Sequence, residues 1–354
     1  MVNVWSKNMQ DYNNLPLGLS YDDVLLIPQL SNITSRSDVD LSTQITPKVK
    51  LMVPLISSNM SSITDVRFAI ALGKLGGLGV LPRFMPKDVE AEMVEKVKKE
   101  NVLVGAAVGV KEKGFERAKL LVSAGVDILI LDVAHGHMLQ TIEATKALKQ
   151  MFGSKVDIIS GNVATYEAAK DLFLAGADSV KVGIGPGSTC ITRIETGCGV
   201  PQITAMLECT KAARAYHKTL ICDGGMKNSG DVVKALAAGA SAVMTGHLFA
   251  GLAETAGQII IKNGKKYKEY NGSTSLTEKS RQSPNAVKHV EGVESLVPYK
   301  GCLKDSIEKW IANIRSGYSY CGAKNIPELW QKAKFIRITP AGMRESGAHD
   351  VIVQ

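Results

Sequence analysis

Eight short apolar runs recur along this chain, most of them followed by a segment of helical amphipathicity, and few folds accept that alternation. The runs are 53–57 (VPLIS), 76–81 (GGLGVL), 102–109 (VLVGAAVG), 127–133 (DILILDV), 157–163 (DIISGNV), 179–184 (SVKVGI), 219–225 (TLICDGG) and 242–246 (AVMTG). Helical patterns follow at 65–74, 86–100, 114–124, 138–151, 166–175, 230–238 and 248–256. Continuous apolar strands suit a parallel sheet covered on both faces. Eight β-α units at this spacing predict an α/β protein of the closed (β/α)8 TIM-barrel class. A doubly wound sheet is the alternative, but the units look equivalent and nothing signals a reversal of strand order. The related segments 124–127 (AGVD), 175–178 (AGAD) and 238–241 (AGAS) read as helix C-caps running into the next strand, each with glycine in the left-handed position.

At 354 residues the chain has room for one such barrel, and residues 1–354 are read as a single domain. Hydrophobic residues at 45% and charged residues at 21% suit a globular protein. No apolar run approaches the roughly 18–20 residues of a membrane span. With no secretory signal, a cytoplasmic setting with reduced thiols and no membrane partner is expected. The net charge of +8 favours anionic ligands. Scattered Lys and Arg with only 5% aromatic residues argue against nucleic acid. The six cysteines show no zinc spacing.

One cysteine stands apart. Residues 183–193 (GIGPGSTCITR) follow the sixth run and carry Cys190 on a glycine-rich turn between Ser188 and Thr192. Glycines there permit close backbone approach, and the turn can aim N–H groups at an anion or carbonyls at a cation. Cys190 is a candidate nucleophile; a buried structural cysteine is the other reading. Barrel chemistry sits at the C-terminal ends of strands. Those ends carry 57–60 (SSNM), 132–137 (DVAHGH), 161–163 (GNV), the Cys190 turn, 223–225 (DGG) and Gly246-His247. Polar residues and glycines from six strands on one rim point to an active site. The glycine-ended seventh and eighth strands are candidates for phosphate binding, with His247 either a ligand or an ordinary imidazole. A polar segment at 262–298 reads as a mobile flap, followed by helices at 305–316 and 325–334 and a polar tail at 337–354.

These residues resemble the inosine-monophosphate dehydrogenase and GMP reductase family from about Leu17 onward. The matching motifs are 19–28 (LSYDDVLLIP), 40–46 (DLSTQIT), 183–193, 199–205 (GVPQITA), 222–246, 291–301 (EGVESLVPYKG), 320–326 (YCGAKNI) and 337–351 (RITPAGMRESGAHDV). The resemblance implies a tetrameric barrel enzyme acting at C2 of a purine 5′-monophosphate through a cysteine adduct and a nicotinamide cofactor. It makes Cys190 the nucleophile and Thr192 its helper in activating water or ammonia. It assigns Ser188, Gly225, Gly246 and Tyr270 to phosphate, with His247 beside them, Asp223 to ribose, and Gly272 and Glu291 to the purine. Asp132, Asn162 and Gly183 resemble the cofactor side. Gly185, Gly187 and Cys190 resemble potassium ligands, completed by Glu345, Ser346 and Gly347 of a neighbouring subunit. The family's usual CBS modules are missing.

The direction is read from the flap. Dehydrogenases activate water with an Arg-Tyr pair on it; none follows Tyr270 here, and the 270–291 spacing is close to that of reductases. Segments 35–39, 58–60 and 132–134 also look reductase-like, whereas 135–137, 199–246 and the tail look like bacterial dehydrogenases. Ser61-Ser62 stand where Asp-Thr is usual, and His247 replaces a small residue. Reductases use a flap glutamate as proton donor, for which Glu278 is the candidate, set against a solvated surface charge. The leading expectation is GMP reductase with NADPH. IMP dehydrogenase with NAD is the alternative, ahead of an enzyme for a modified purine nucleotide or an inactive nucleotide-binding paralogue.

Overall fold

The computed structural model describes residues 15–282 and 290–351, without the side chains of Arg281 and Gln282. Residues 283–289 of the expected flap and 352–354 of the expected tail lie outside it. All eight expected runs form parallel strands: β1 (Leu55–Ser57), β2 (Gly79–Leu81), β3 (Val104–Val108), β4 (Ile128–Asp132), β5 (Asp157–Val163), β6 (Ser179–Val182), β7 (Thr219–Asp223) and β8 (Ala242–Thr245). Each strand pairs with the next from β2 to β8, and β8 pairs with β1. The parallel bridge Ile56↔Leu78 closes β1 onto β2. The protein is a TIM barrel.

Side-chain alternation builds the two layers. Ile128 and Ile130 of β4 face the barrel interior with Ile56, Val80, Ile159, Ile221 and Met244. Leu129 and Leu131 point outward against Val94, Leu121, Leu148 and the other helix-facing side chains. A short hairpin, Thr43–Gln44 paired with Lys50–Leu51, seals the N-terminal end by adding Ile45, Val49 and Leu51 to the interior cluster. Each fully buried Leu or Ile contributes roughly 1.5–3 kcal/mol. The open end is therefore the C-terminal one.

The crossover helices are α1 (Val66–Lys74), α2 (Lys87–Lys98), α3 (Glu112–Ser123), α4 (Leu139–Phe152) and α5 (Tyr166–Leu174). After β6 come the short α6 (Thr192–Thr196) and α7 (Gln202–Tyr216), and after β7 comes α8 (Ser229–Ala237). Asp65, Thr165 and Asn228 cap α1, α5 and α8, each accepting an N–H of the first turn. The repeated C-caps hold Gly125, Gly176 and Gly239 at φ +89°, +103° and +114°.

Two expectations are corrected. Residues 248–256 form turns, not an eighth crossover helix. A Cβ at Gly251 would lie 2.3 Å from the Pro298 carbonyl, so returning chain occupies that space. The outer layer there is filled by α10 (Leu303–Tyr320), whose Trp310 meets Phe249 edge-on at 5.7 Å and which packs on α8. The segment 262–298 is also more than a loop. Strands β9 (Ile259–Lys262), β10 (Lys265–Asn271) and β11 (Glu294–Pro298) form an antiparallel sheet, and α9 (Leu276–Gln282) lies between the last two. Helices α11 (Ile326–Lys332) and α12 (Pro340–Glu345) follow, with the strand Phe335–Arg337 pairing Val24–Leu26. Among the described residues no helix is long and apolar enough to cross a membrane.

Candidate active site

The strand ends converge on one cleft of about 1040 Å³, open mouth included. At its floor lies Lys181, 2% exposed, on β6. Its Nζ donates to Asp223 Oδ2 (2.6 Å), Asp132 Oδ1 (3.1 Å) and Asn162 Oδ1. Asn162 Nδ2 in turn donates to Asp223 Oδ2 at 3.0 Å and to the Gly183 carbonyl at 2.9 Å. Asn59 Nδ2 donates to Asp132 Oδ2 at 3.0 Å. Burial by itself would lower the Lys181 pKa, but the two carboxylates outweigh it and hold the ammonium charged. Burial opposes ionisation of Asp132 as well; Lys181, nearby Arg83 and the Asn59 hydrogen bond prevail and keep it below the usual range. Gly183 has φ +152°, and a Cβ there would sit 2.2 Å from the Asp223 carbonyl. One network thus joins the residues expected on the cofactor side with the one expected at the ribose. Lys181 was not expected at the site. Its signal was a lone lysine inside the apolar run SVKVG.

Cys190 lines the same cleft. Its Sγ lies 3.1 Å from Thr192 Oγ1, and Thr192 donates to Glu291 Oε2 at 2.7 Å. The glutamate is fixed by backbone: Ile191 N–H donates to the Glu291 carbonyl (2.8 Å), and Val293 N–H to the Thr189 carbonyl (2.9 Å). A chain of contacts therefore leads from thiol to hydroxyl to carboxylate. Gly272 lines the cleft, and its N–H donates to the Val293 carbonyl at 3.0 Å.

Ser188, Tyr270 and His247 meet at one end. Ser188 Oγ donates to the Tyr270 hydroxyl at 3.3 Å and lies 3.3 Å from His247 Nδ1. Gly224 and Gly225 take φ +89° and +83°, which turns the backbone after β7 into the cleft. Among the described residues the N–H groups of Ser188, Gly225, Gly246 and His247 have no protein acceptor. Unpaired N–H groups on residues that line one cleft are available to hold an anion.

Other expected residues fall elsewhere. Glu278 is neither a solvated charge nor part of the cleft lining: it is 1% exposed and accepts from Ser61 Oγ at 2.6 Å. Ser57 is occupied internally, accepting from Thr64 Oγ1 and Val80 N–H. His137 contacts Asp171 at 2.9 Å. Of the expected potassium carbonyls, that of Gly187 accepts the Cys190 N–H at 3.1 Å, while Gly185 packs on the Arg193 side chain. Glu345, Ser346 and Gly347 are exposed at the chain surface.

Residues 18–349 match the model of the IMP dehydrogenase / GMP reductase domain. The chain is 37% identical to an inosine-5′-monophosphate dehydrogenase of Aquifex aeolicus, covering 94% of this chain and 96% of that protein. It is 32% identical to a GMP reductase of Leishmania major, covering 95% and 98%. Both alignments, 470 and 480 positions, exceed the 354 residues of this chain, so each relative carries segments without a counterpart here. A crystal structure of a GMP reductase variant from Trypanosoma brucei in complex with guanosine 5′-monophosphate superposes with a TM-score of 0.91 at 31% identity, covering 96% of this chain and 99% of that one. The barrel, the cysteine turn and these matches agree: the chain belongs to the IMP dehydrogenase/GMP reductase family of oxidoreductases.

Proposed function

We propose that this protein is a GMP reductase, converting GMP to IMP and ammonia with NADPH. The observation that carries the reading is the Cys190–Thr192–Glu291 chain of contacts, together with a flap whose sequence from 271 to 290 holds no Arg-Tyr pair. Reductive deamination needs a thiol and a proton donor at the departing amine. Oxidation of IMP uses the same thiol but needs an activated water in place of the proton donor.

The Cys190 thiolate adds to C2 of GMP, forming the C–S bond while ring N3 takes a proton. Glu291 passes a proton through the Thr192 hydroxyl to the 2-amino group, which leaves as ammonia. N3 then releases its proton and the C2=N3 double bond is restored. The phosphate is held by Ser188, Tyr270, His247 and the N–H groups of Gly225 and Gly246. Asp223 accepts from the ribose hydroxyls, and backbone around Gly272 borders the purine. Binding energy at these remote groups positions C2 against sulfur. Glu291, expected at the purine, takes the acid role that Glu278 was expected to fill.

The family uses a nicotinamide cofactor, and this cleft fits one. Beside the Cys190 turn its lining combines apolar Met60 and Ala134 with the amides of Asn59 and Asn162 and the carboxylate of Asp132, as a flat ring bearing a carboxamide requires. Bound there, NADPH would supply the hydride that reaches C2 as the thiolate departs, so that GMP, NADPH and a proton give IMP, ammonia and NADP⁺. Carbonyls of Gly185, Gly187 and Cys190, with a neighbour's Glu345-Ser346-Gly347, are assigned to potassium in a homotetramer. Initial rates of GMP-dependent NADPH oxidation and IMP-dependent NAD reduction test the direction. The first should exceed the second, and faster IMP oxidation would refute the assignment.

A further inference from the structure

His247 is the least expected group at the phosphate end of the cleft, and its surroundings give it more than a steric role. Its Nδ1 lies 3.3 Å from Ser188 Oγ, and its ring centroid is 6.3 Å from that of Tyr270. Lys300 Nζ donates to the His247 carbonyl at 3.1 Å. The charged and titratable groups facing it are Lys300 from the segment after β11, Lys227 from the β7–α8 turn and the Tyr270 phenol from β10. Among the described residues no carboxylate faces the imidazole, and Asp22 pairs with Lys227. The adjoining N–H groups of Gly225, Gly246 and His247 itself lack protein acceptors among the described residues. With Lys300 beside them and no protein acceptor of their own, these groups make a half-buried site suited to an anion.

We propose that His247 is a proton-linked ligand for the substrate's 5′-phosphate, taking up a proton as the dianion binds and so tying nucleotide affinity to pH. The inference rests on the reading that the cleft binds a purine 5′-monophosphate, but not on the direction of the reaction.

In the ligand-free protein, burial first, then the positive Lys300 and Lys227, hold the imidazole below its usual range. It is therefore neutral near pH 7. A phosphate dianion beside it reverses the balance and raises the pKa in the complex. The sign follows by linkage: affinity is greatest below the free-protein pKa, falls as pH rises through the pKa of the complex, and is flat above it. Each unit between the two values corresponds to about a tenfold change in affinity. Above roughly pH 7 the nucleotide phosphate, with its second pKa near 6, is already a dianion, so uptake there belongs to the protein.

The test is calorimetric binding of GMP and of IMP to the protein without cofactor, from pH 7 to pH 9, in buffers of different ionisation enthalpy. Wild type should take up a fraction of a proton on binding either nucleotide. His247→Ser and His247→Asn should lose that uptake and bind with affinity that varies little over the range. Asn keeps a hydrogen-bonding group without the titration, so a folding defect in one variant leaves the other informative. Equal proton uptake in wild type and both variants overturns the proposal while leaving the substrate reading intact. Failure of either nucleotide to bind wild type overturns the substrate reading and this proposal together.

Discussion

Lys181→Met would remove one positive charge from a site where two carboxylates depend on it. Lys181 is 2% exposed and bridges Asp223 at 2.6 Å and Asp132 at 3.1 Å. Breaking a buried ion pair by deleting one partner costs about 3–5 kcal/mol, because the remaining charge is left uncompensated. That is a large part of a typical stability of about 5–15 kcal/mol. At roughly 2–4 °C per kcal/mol for domains somewhat smaller than this one, melting should fall by on the order of 5–10 °C. The pH dependence carries the sign. Without the ammonium, burial prevails at Asp132 and its folded-state pKa rises above the unfolded value. A carboxyl group raised in this way loses stability as pH climbs from the unfolded towards the folded pKa. The defect should therefore be larger at pH 8 than at pH 5, and Lys181→Met/Asp223→Asn should recover part of it. Thermal unfolding followed by circular dichroism measures all of this. A melting temperature within about 1 °C of wild type at pH 8, or an equal loss at both pH values, would refute the reasoning.

Three further outcomes follow from the site. Glu291→Gln should slow GMP-dependent NADPH oxidation by about a hundredfold, a typical general-acid contribution, while Glu278→Gln, bonded to Ser61 away from the cleft lining, should have a smaller effect on the rate; the reverse ranking would return the acid role to Glu278. In native protein near neutral pH, iodoacetamide should modify exposed Cys198 but spare Cys209 and Cys222, whose thiols burial pushes up, Cys222 to about 11; peptide mapping that finds the buried pair modified first would contradict the packing. Deleting residues 341–354 should lower activity and weaken assembly, and an active monomer by light scattering would refute the role given to the tail.

The barrel was legible because its strands obey a local rule. Alternating Ile128, Leu129, Ile130 and Leu131 face interior and helices in turn, and such runs declare themselves without tertiary information. The turns at 248–256 were not legible, because the amphipathic pattern that reads as an eighth crossover helix is overridden by chain returning over Gly251. The sheet in the flap was hidden for a related reason. In β10 the inward positions alternate, but one of them is Lys268, whose ammonium reaches the carbonyls of Ala253 and Thr255. Most expected nucleotide-binding residues gather at one cleft because they sit on strand ends that any such barrel brings together. What sequence could not supply was pairing across distance. Ser61 and Glu278 meet over 217 positions. Glu291 reaches Thr192 only because backbone bonds clamp the segment after the flap to the cysteine turn.

The most direct test of the central claim follows the hydrogen at C2. Wild-type protein is incubated with GMP and NADPH deuterated at the transferable position, and the product nucleotide is analysed by mass spectrometry. Hydride delivery to a Cys190-bound purine predicts IMP with one deuterium at C2, ammonia released in equal amount, and no product from Cys190→Ala. Unlabelled GMP recovered unchanged, alongside conversion of IMP and NAD to XMP by the same preparation, would contradict it.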